Sequence, residues 1–140
     1  MSKPLPQPNV VTERFWSSCK AGHFEFQTCG KCGHHQFPPR LACTACHGGH
    51  LDWRQASGRG NVYSFTVVHR APLDSFKASV PYVIAIVELE EGVRAMMNVR
   101  GIDPASVCIG MPVEIFFEPT EGGEYPLPQA RPRGVRNFLL

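Results

Sequence analysis

The chain has 140 residues, of which 43% are hydrophobic and 19% charged, and a net charge of +2. That is the size of one ordinary domain or two very small ones, and no apolar run approaches the roughly 20 residues that span a bilayer. Charge is uneven: residues 1–59 carry seven Lys/Arg and three Asp/Glu, whereas residues 60–125 carry four and nine, so the acidic central segment argues against a nucleic-acid-binding face there.

The opening MSKPLPQPNV has no apolar h-region, so neither a signal peptide nor an anchor is expected and a cytoplasmic location follows. Residues 1–11, with Pro4, Pro6 and Pro8, read as an extended arm. Thr12 is placed to N-cap a short helix through about Lys20, with Phe15, Trp16 and Cys19 on one face and Gly22 as its stop. HFEFQT then alternates into the first of two C-x2-C pairs.

Those pairs are CGKC and CTAC: Cys29, Cys32, Cys43 and Cys46. Two short knuckles each aim two sulfurs at one point, which suits tetrahedral thiolate ligation. The alternative is two disulfides or reduced bystanders, which a reducing compartment disfavours. Zinc is preferred because a structural site needs no redox partner, although a rubredoxin-like iron site shares the spacing. His34 or His47 offers a variant with three cysteines and one histidine. With four thiolates the shell is full and no open position remains for catalysis. Cys19 and Cys108 stand apart and read as small buried hydrophobes. LDWRQAS leads out of the ribbon, whose folding the metal would support.

From about Gly58 the pattern is all strand. NVYSFTVVHR alternates, PYVIAIVELE is nearly continuously apolar, and a turn near Glu91-Gly92 returns into VRAMMNVR. IDPAS suits one helical turn capped by Asp103 with Pro104 in its first turn. GMPVEIFFE and an extended piece around Tyr125–Arg131 complete five strands. The fold class expected is therefore mainly β: a short N-terminal helix, a zinc ribbon (residues 12–57 together), then a five-stranded barrel over residues 58–131. An OB-fold leads, with an SH3-like barrel or small sandwich as alternatives. Residues 132–140 form a C-terminal tail, which ends Phe138-Leu139-Leu140 after three arginines. Residues 126–140 suit an anchor for a partner's groove or a segment packed on their own barrel.

The run ERFWSSCKAGHFEFQTCGKCGHHQFPPRLACTAC, followed by SGRGNVYSFTVVHRAP, PYVIAIVELEEGVRAMMNV and IGMPVEIFFE, resembles the two-part zinc-ribbon/OB-fold proteins associated with acyl-CoA metabolism. This family was long catalogued as a domain of unknown function. The resemblance covers about residues 12–131. It implies a rubredoxin-like ribbon, one structural zinc and a non-catalytic adaptor. Such an adaptor accompanies a thiolase-like protein, a lipid-transfer-type aldolase or a hydratase in lipid, sterol or ketoacyl metabolism. It also implies that the chain holds the CoA portion of an acyl thioester or completes its channel.

CoA needs positive side chains near its phosphates and an apolar groove for the rest. Phe37, Pro38 and Arg40 of FPPR, with Arg59 and Tyr63 of SGRG…Y, supply that pairing in sequence; otherwise the arginines are surface and the aromatics core. No G-x-S-x-G elbow, P-loop or Rossmann fingerprint is present, in keeping with an adaptor rather than an enzyme. The rival is a single-stranded nucleic-acid module with Tyr63, Phe65 and Tyr82 as stacking faces.

Overall fold

A computed structural model describes residues 4–71 and 73–133. The first helix, α1 (Glu13–Lys20), turns Phe15, Ser18 and Cys19 inward. Thr12 occupies its N-cap position but makes no side-chain cap bond, since its backbone is already near-helical (φ −102°, ψ −5°). The cap lies one turn earlier. Asn9 Oδ1 accepts from the N–H groups of Val11 and Thr12 at 2.9 and 3.0 Å, and Thr12 Oγ1 accepts from the Asn9 N–H at 3.0 Å. That reciprocal box fixes the entry of the arm into the helix. At the other end Gly22 (φ +87°) closes the helix, with the His23 N–H on the Ser18 carbonyl at 2.8 Å and the Gly22 N–H on the Cys19 carbonyl at 3.0 Å. These are the two bonds of a Schellman motif.

Three antiparallel strands follow: β1 (Glu25–Cys29), β2 (His35–Gln36) and β3 (Leu51–Gln55), in the order β2-β1-β3. The five strands of the barrel are β4 (Arg59–Val68), β5 (Tyr82–Leu89), β6 (Arg94–Val99), β7 (Pro112–Glu118) and β8 (Leu127–Pro132). They close in the order β4-β5-β6-β8-β7, antiparallel except between β6 and β8. This is the OB-fold topology. Strand β5 alternates strictly, with Val83, Ala85, Val87 and Leu89 buried, so the apolar run in the sequence fills one face with its even-spaced half. Gly60 is required by close approach: a Cβ there would overlap the Glu88 carbonyl. Tyr63 is the extra residue of a bulge where the β4–β5 register shifts between Val62 and Ser64; a bulge re-aims the side chain it carries.

The turn at Glu91-Gly92 forms as read, with Gly92 at φ +91° and its N–H on the Leu89 carbonyl at 2.8 Å. The turn Pro104–Ser106 is a 3₁₀ turn capped by Asp103, whose Oδ1 accepts from the Ala105 N–H at 3.0 Å. A second 3₁₀ segment, Asp74–Ser79, lies between β4 and β5 and has no counterpart in the sequence reading.

Ribbon and barrel share one core. Phe15, Phe24 and Phe37 meet with ring centroids 4.9–5.3 Å apart, and Ala95 and Met97 of the barrel belong to the same buried cluster. Three phenylalanines at such separations gain about 0.5–1.5 kcal/mol per pair beyond their burial. Among the described residues, no helix is long and apolar enough to cross a membrane. The distal part of the tail, residues 134–140, lies outside the described residues.

Candidate metal centre and ligand cleft

The ribbon brings Cys29, Cys32, Cys43 and Cys46 together with all four Sγ atoms within 4.8 Å of one another. Cys29 and Cys46 sulfurs lie 3.6 Å apart, as do those of Cys32 and Cys43. A tetrahedral ion with metal–sulfur bonds near 2.3 Å spaces its ligands about 3.8 Å apart, whereas a disulfide would need roughly 2 Å. The donor set therefore fits a single four-coordinate ion and not two disulfides.

The two knuckles are built alike. In each, the first cysteine's sulfur accepts from the N–H groups two and three residues on: Lys31 and Cys32 for Cys29, Ala45 and Cys46 for Cys43, all at 3.4 Å. Each first cysteine's N–H also reaches the carbonyl five residues on, His34 and Gly48, at 2.8 Å. The fourth residue after each takes a positive φ, Gly33 at +78° and His47 at +64°. Donated N–H groups stabilise thiolate over thiol. The N–H groups of Cys32 and Lys31 bring the Cys29 thiol down to about 6, and those of Cys46 and Ala45 lower Cys43. Cys32 accepts from the His34 N–H, yet desolvation and the neighbouring sulfurs push it up to about 12.

Cys19 behaves as a buried hydrophobe: burial pushes its thiol up to about 12. Cys108 does not. It is exposed, while the preceding residue, Val107, takes the buried position after the 3₁₀ turn.

A cleft of about 320 Å³ opens where the ribbon meets the β5–β6 turn, lined by Phe37, Pro38, Arg40, Thr44, Val93 and Arg94 among others. Three of the residues read from the sequence, Phe37, Pro38 and Arg40, thus come together. Their loop is held from beneath by two buried glutamines. Gln27 Oε1 accepts from the Arg40 N–H at 2.8 Å while Gln27 Nε2 donates to the Arg40 carbonyl at 2.9 Å. Gln36 Nε2 donates to Gln27 Oε1 at 2.9 Å, and Gln36 Oε1 accepts from the Thr44 N–H at 2.9 Å. Among the described residues no carboxylate pairs with Arg40.

Tyr63 stands beside the cleft rather than in its lining, with the Arg94 guanidinium 3.8 Å above its ring. Arg94 also pairs with Glu88 at 2.9 Å. The sequence reading missed Arg94; only the register of β6, with the bulge at Tyr63, brings the two residues together. Arg59 is absent from the lining and its guanidinium is taken by both oxygens of Glu90, at 3.1 and 3.2 Å. That bond to Arg59 holds the Glu90 carboxyl below its usual range.

The aromatics named for nucleic-acid stacking are already engaged. Arg94 covers Tyr63, Phe65 packs against the buried core, and Tyr82 tilts against Phe76 at 6.0 Å.

Residues 16–52 match the model of the ChsH2 rubredoxin-like zinc ribbon domain, and residues 53–118 that of the ChsH2 C-terminal OB-fold domain. A DUF35 domain-containing scaffold protein of Methanothermobacter thermautotrophicus is 43% identical over 64% of this chain and 67% of its own length. The chain belongs to the ChsH2/DUF35 family. A chain of the solved Ltp2-ChsH2(DUF35) aldolase is 35% identical, with TM-score 0.81 over 91% of this chain and 98% of that one. A probable enoyl-CoA hydratase alpha subunit of Thermomonospora curvata is 36% identical over 93% of this chain, which spans 40% of that subunit's length. The ribbon of the family model and the four gathered sulfurs agree: this member keeps a complete set of four cysteines in position to bind a metal.

Proposed function

We propose that this chain is a non-catalytic accessory subunit that holds the CoA portion of an acyl thioester for an acyl-CoA-processing partner. The partner is a thiolase-like protein or an aldolase, with a hydratase as the further member of the class. The observation that carries the reading is the cleft. Arg40 and Arg94 supply two positive groups for phosphates, and Phe37 and Pro38 supply an apolar wall beside them. Arg94 gives up little to bind an anion, because its ion pair with Glu88 is about half exposed on both sides, and such pairs contribute about 0–1 kcal/mol. Kinship with a scaffold protein, with a chain of an aldolase and with an enoyl-CoA hydratase subunit supports the same direction.

Cys29, Cys32, Cys43 and Cys46 would hold one zinc, which supplies folding energy to the ribbon rather than a reactive position. The ion would thereby keep the Phe37–Arg40 loop at the mouth of the cleft.

Two measurements test the proposal. Calorimetric titration of the chain with CoA should give saturable binding that Arg40→Ala and Arg94→Ala weaken. Co-purification from the native host should recover an acyl-CoA enzyme whose turnover rises when this chain is added back. Turnover of acyl-CoA by this chain alone would overturn the accessory role, and absence of CoA binding would overturn the cleft.

A further inference from the structure

The ribbon sheet has an open side. In the order β2-β1-β3, strand β3 runs along β1 and, among the described residues, has no strand along its other edge. Two bonds fix which main-chain groups lie there. The Gly30 N–H donates to the His50 carbonyl at 2.7 Å and the Ala56 N–H donates to the Phe24 carbonyl at 2.8 Å, one at each end of the ladder. Antiparallel pairing turns alternate residues toward the neighbour, so Asp52 and Arg54 give their main-chain groups to β1. Leu51, Trp53 and Gln55 therefore turn theirs outward, three donors and three acceptors in a row.

A row of this kind is a template for another strand unless side chains forbid it. Asp52, Arg54 and Gln55 are exposed, and among the described residues neither Asp52 nor Arg54 makes an ion pair. Beside the start of the strand the surface is open: Gly30, Lys31, Gly48, Gly49, His50 and Leu51, among others, line a recess of about 860 Å³.

The order of charges selects the occupant. In Leu51-Asp52-Trp53-Arg54-Gln55 an acid and a base stand one residue to either side of Trp53. Laid antiparallel on a second copy with Trp53 opposite Trp53, Asp52 of each copy faces Arg54 of the other, and Leu51 faces Gln55. Both Asp52–Arg54 pairs fall at positions without main-chain bonds, where opposing side chains come closest. The three outward donors of each copy meet the three outward acceptors of the other. Sliding the copies by two residues sets Asp52 against Asp52 or Arg54 against Arg54, so the charges also fix the register. A single sign of charge along this edge would repel a second copy, whereas the Asp-Trp-Arg order attracts one.

We propose that β3 pairs antiparallel with β3 of a second copy of this chain, about a two-fold axis at Trp53, and joins two ribbons into one continuous sheet. The pairing is independent of the CoA reading of the cleft. Five residues from each copy make an interface below the standard size, so the dimer is a transient one with a Kd on the order of 10–100 μM.

Sedimentation velocity of the metal-loaded full chain, from about 5 to about 500 μM, should show monomer passing into dimer across that range. Asp52→Arg and Arg54→Asp should each weaken self-association at least about tenfold, because like charges then face one another. An equal mixture of these two variants sets arginine opposite aspartate at both positions again and should regain the dimer. Gln55→Pro removes an outward N–H without touching the ladder to β1. It should lose the dimer while metal content and melting temperature stay at the parent values. Hydrogen exchange supplies a residue-level readout: the Leu51, Trp53 and Gln55 amides should be protected at high concentration and exchange freely at low concentration.

A chain that stays monomeric across the whole range would overturn the pairing. So would a dimer that survives in both charge variants or in Gln55→Pro, since its contact must then lie elsewhere. Protection of the three amides only on addition of the co-purified acyl-CoA enzyme would give the edge to a strand of that enzyme and overturn the second copy as its occupant.

Discussion

Gln27 holds both main-chain polar groups of Arg40, donating to its carbonyl at 2.9 Å and accepting from its N–H at 2.8 Å. A residue on the central ribbon strand thus sets the position of a loop 13 residues further along the chain. Gln27 is only 4% exposed, so its amide cannot be replaced by water without opening the ribbon.

Gln27→Leu should cost about 2–3 kcal/mol, the price of leaving the Arg40 N–H and carbonyl without their partner. Thermal melting of the metal-loaded chain measures it. CoA affinity should fall together with the melting temperature, since Arg40 is then held less firmly at the cleft. A variant that melts and binds like the parent would remove the clamp from the account.

Thiol labelling separates the six cysteines. With metal bound, Cys108 should react first with iodoacetamide, because it is exposed while four thiols are ligated and Cys19 is buried with its thiol pushed up to about 12. A chelator should open the four ribbon thiols to the reagent, and Cys19 should react only after denaturation. Mass spectrometry of the labelled peptides gives the order. Labelling of Cys29 or Cys43 in the metal-loaded chain, at the rate of Cys108, would contradict a closed site.

Replacing Arg40 or Arg94 with alanine should each cost about 1.5–3 kcal/mol of CoA binding, the worth of a hydrogen bond to a charged group. Arg59→Ala should have almost no effect on that binding, because Arg59 does not line the cleft. Calorimetry on the three variants distinguishes the arginine outside the cleft from the two that line it. A large loss with Arg59→Ala would move the phosphate site to the other side of the β5–β6 turn.

Gly60→Val should destabilise the barrel by several kcal/mol, since the new Cβ overlaps the Glu88 backbone at a position paired on both sides, with Leu89 and Val113. Metal content should stay at its original value, as the ribbon does not include this position. Circular dichroism melting and metal analysis on one sample check both parts.

Much of the fold was legible because its cues are local. Gly22, the CGKC and CTAC knuckles, Gly92 and Asp103-Pro104 each announce a stop, a ligand pair or a turn from adjacent residues, and period-two alternation marks the strands. The illegible parts depend on pairing at a distance. Gln27 and Gln36 look like solvent-facing positions of a ribbon strand. They are buried because the FPPR loop and the second knuckle fold over them and use their amides. Arg94 meets Tyr63 only through the bulge in β4, which no single residue declares. Asn9 rather than Thr12 caps the helix, since both side chains can do so and the backbone at Thr12 decides between them.

The seam at Val99 and Ala130 has a bearing on how the molecule assembles. Strands β4, β5 and β6 form a meander, and β7 with β8 forms a hairpin; each arises from neighbours in the chain. The ring is then completed by the longer ladder of β4 with β7 and the single register pair of β6 with β8. Few hydrogen bonds hold that last join, so the cylinder has a preferred line of opening, much like a cuff fastened by one button. Amide protons beside it should exchange sooner than those of the β4–β5 ladder. Transient opening there would widen the barrel without dismantling either petal.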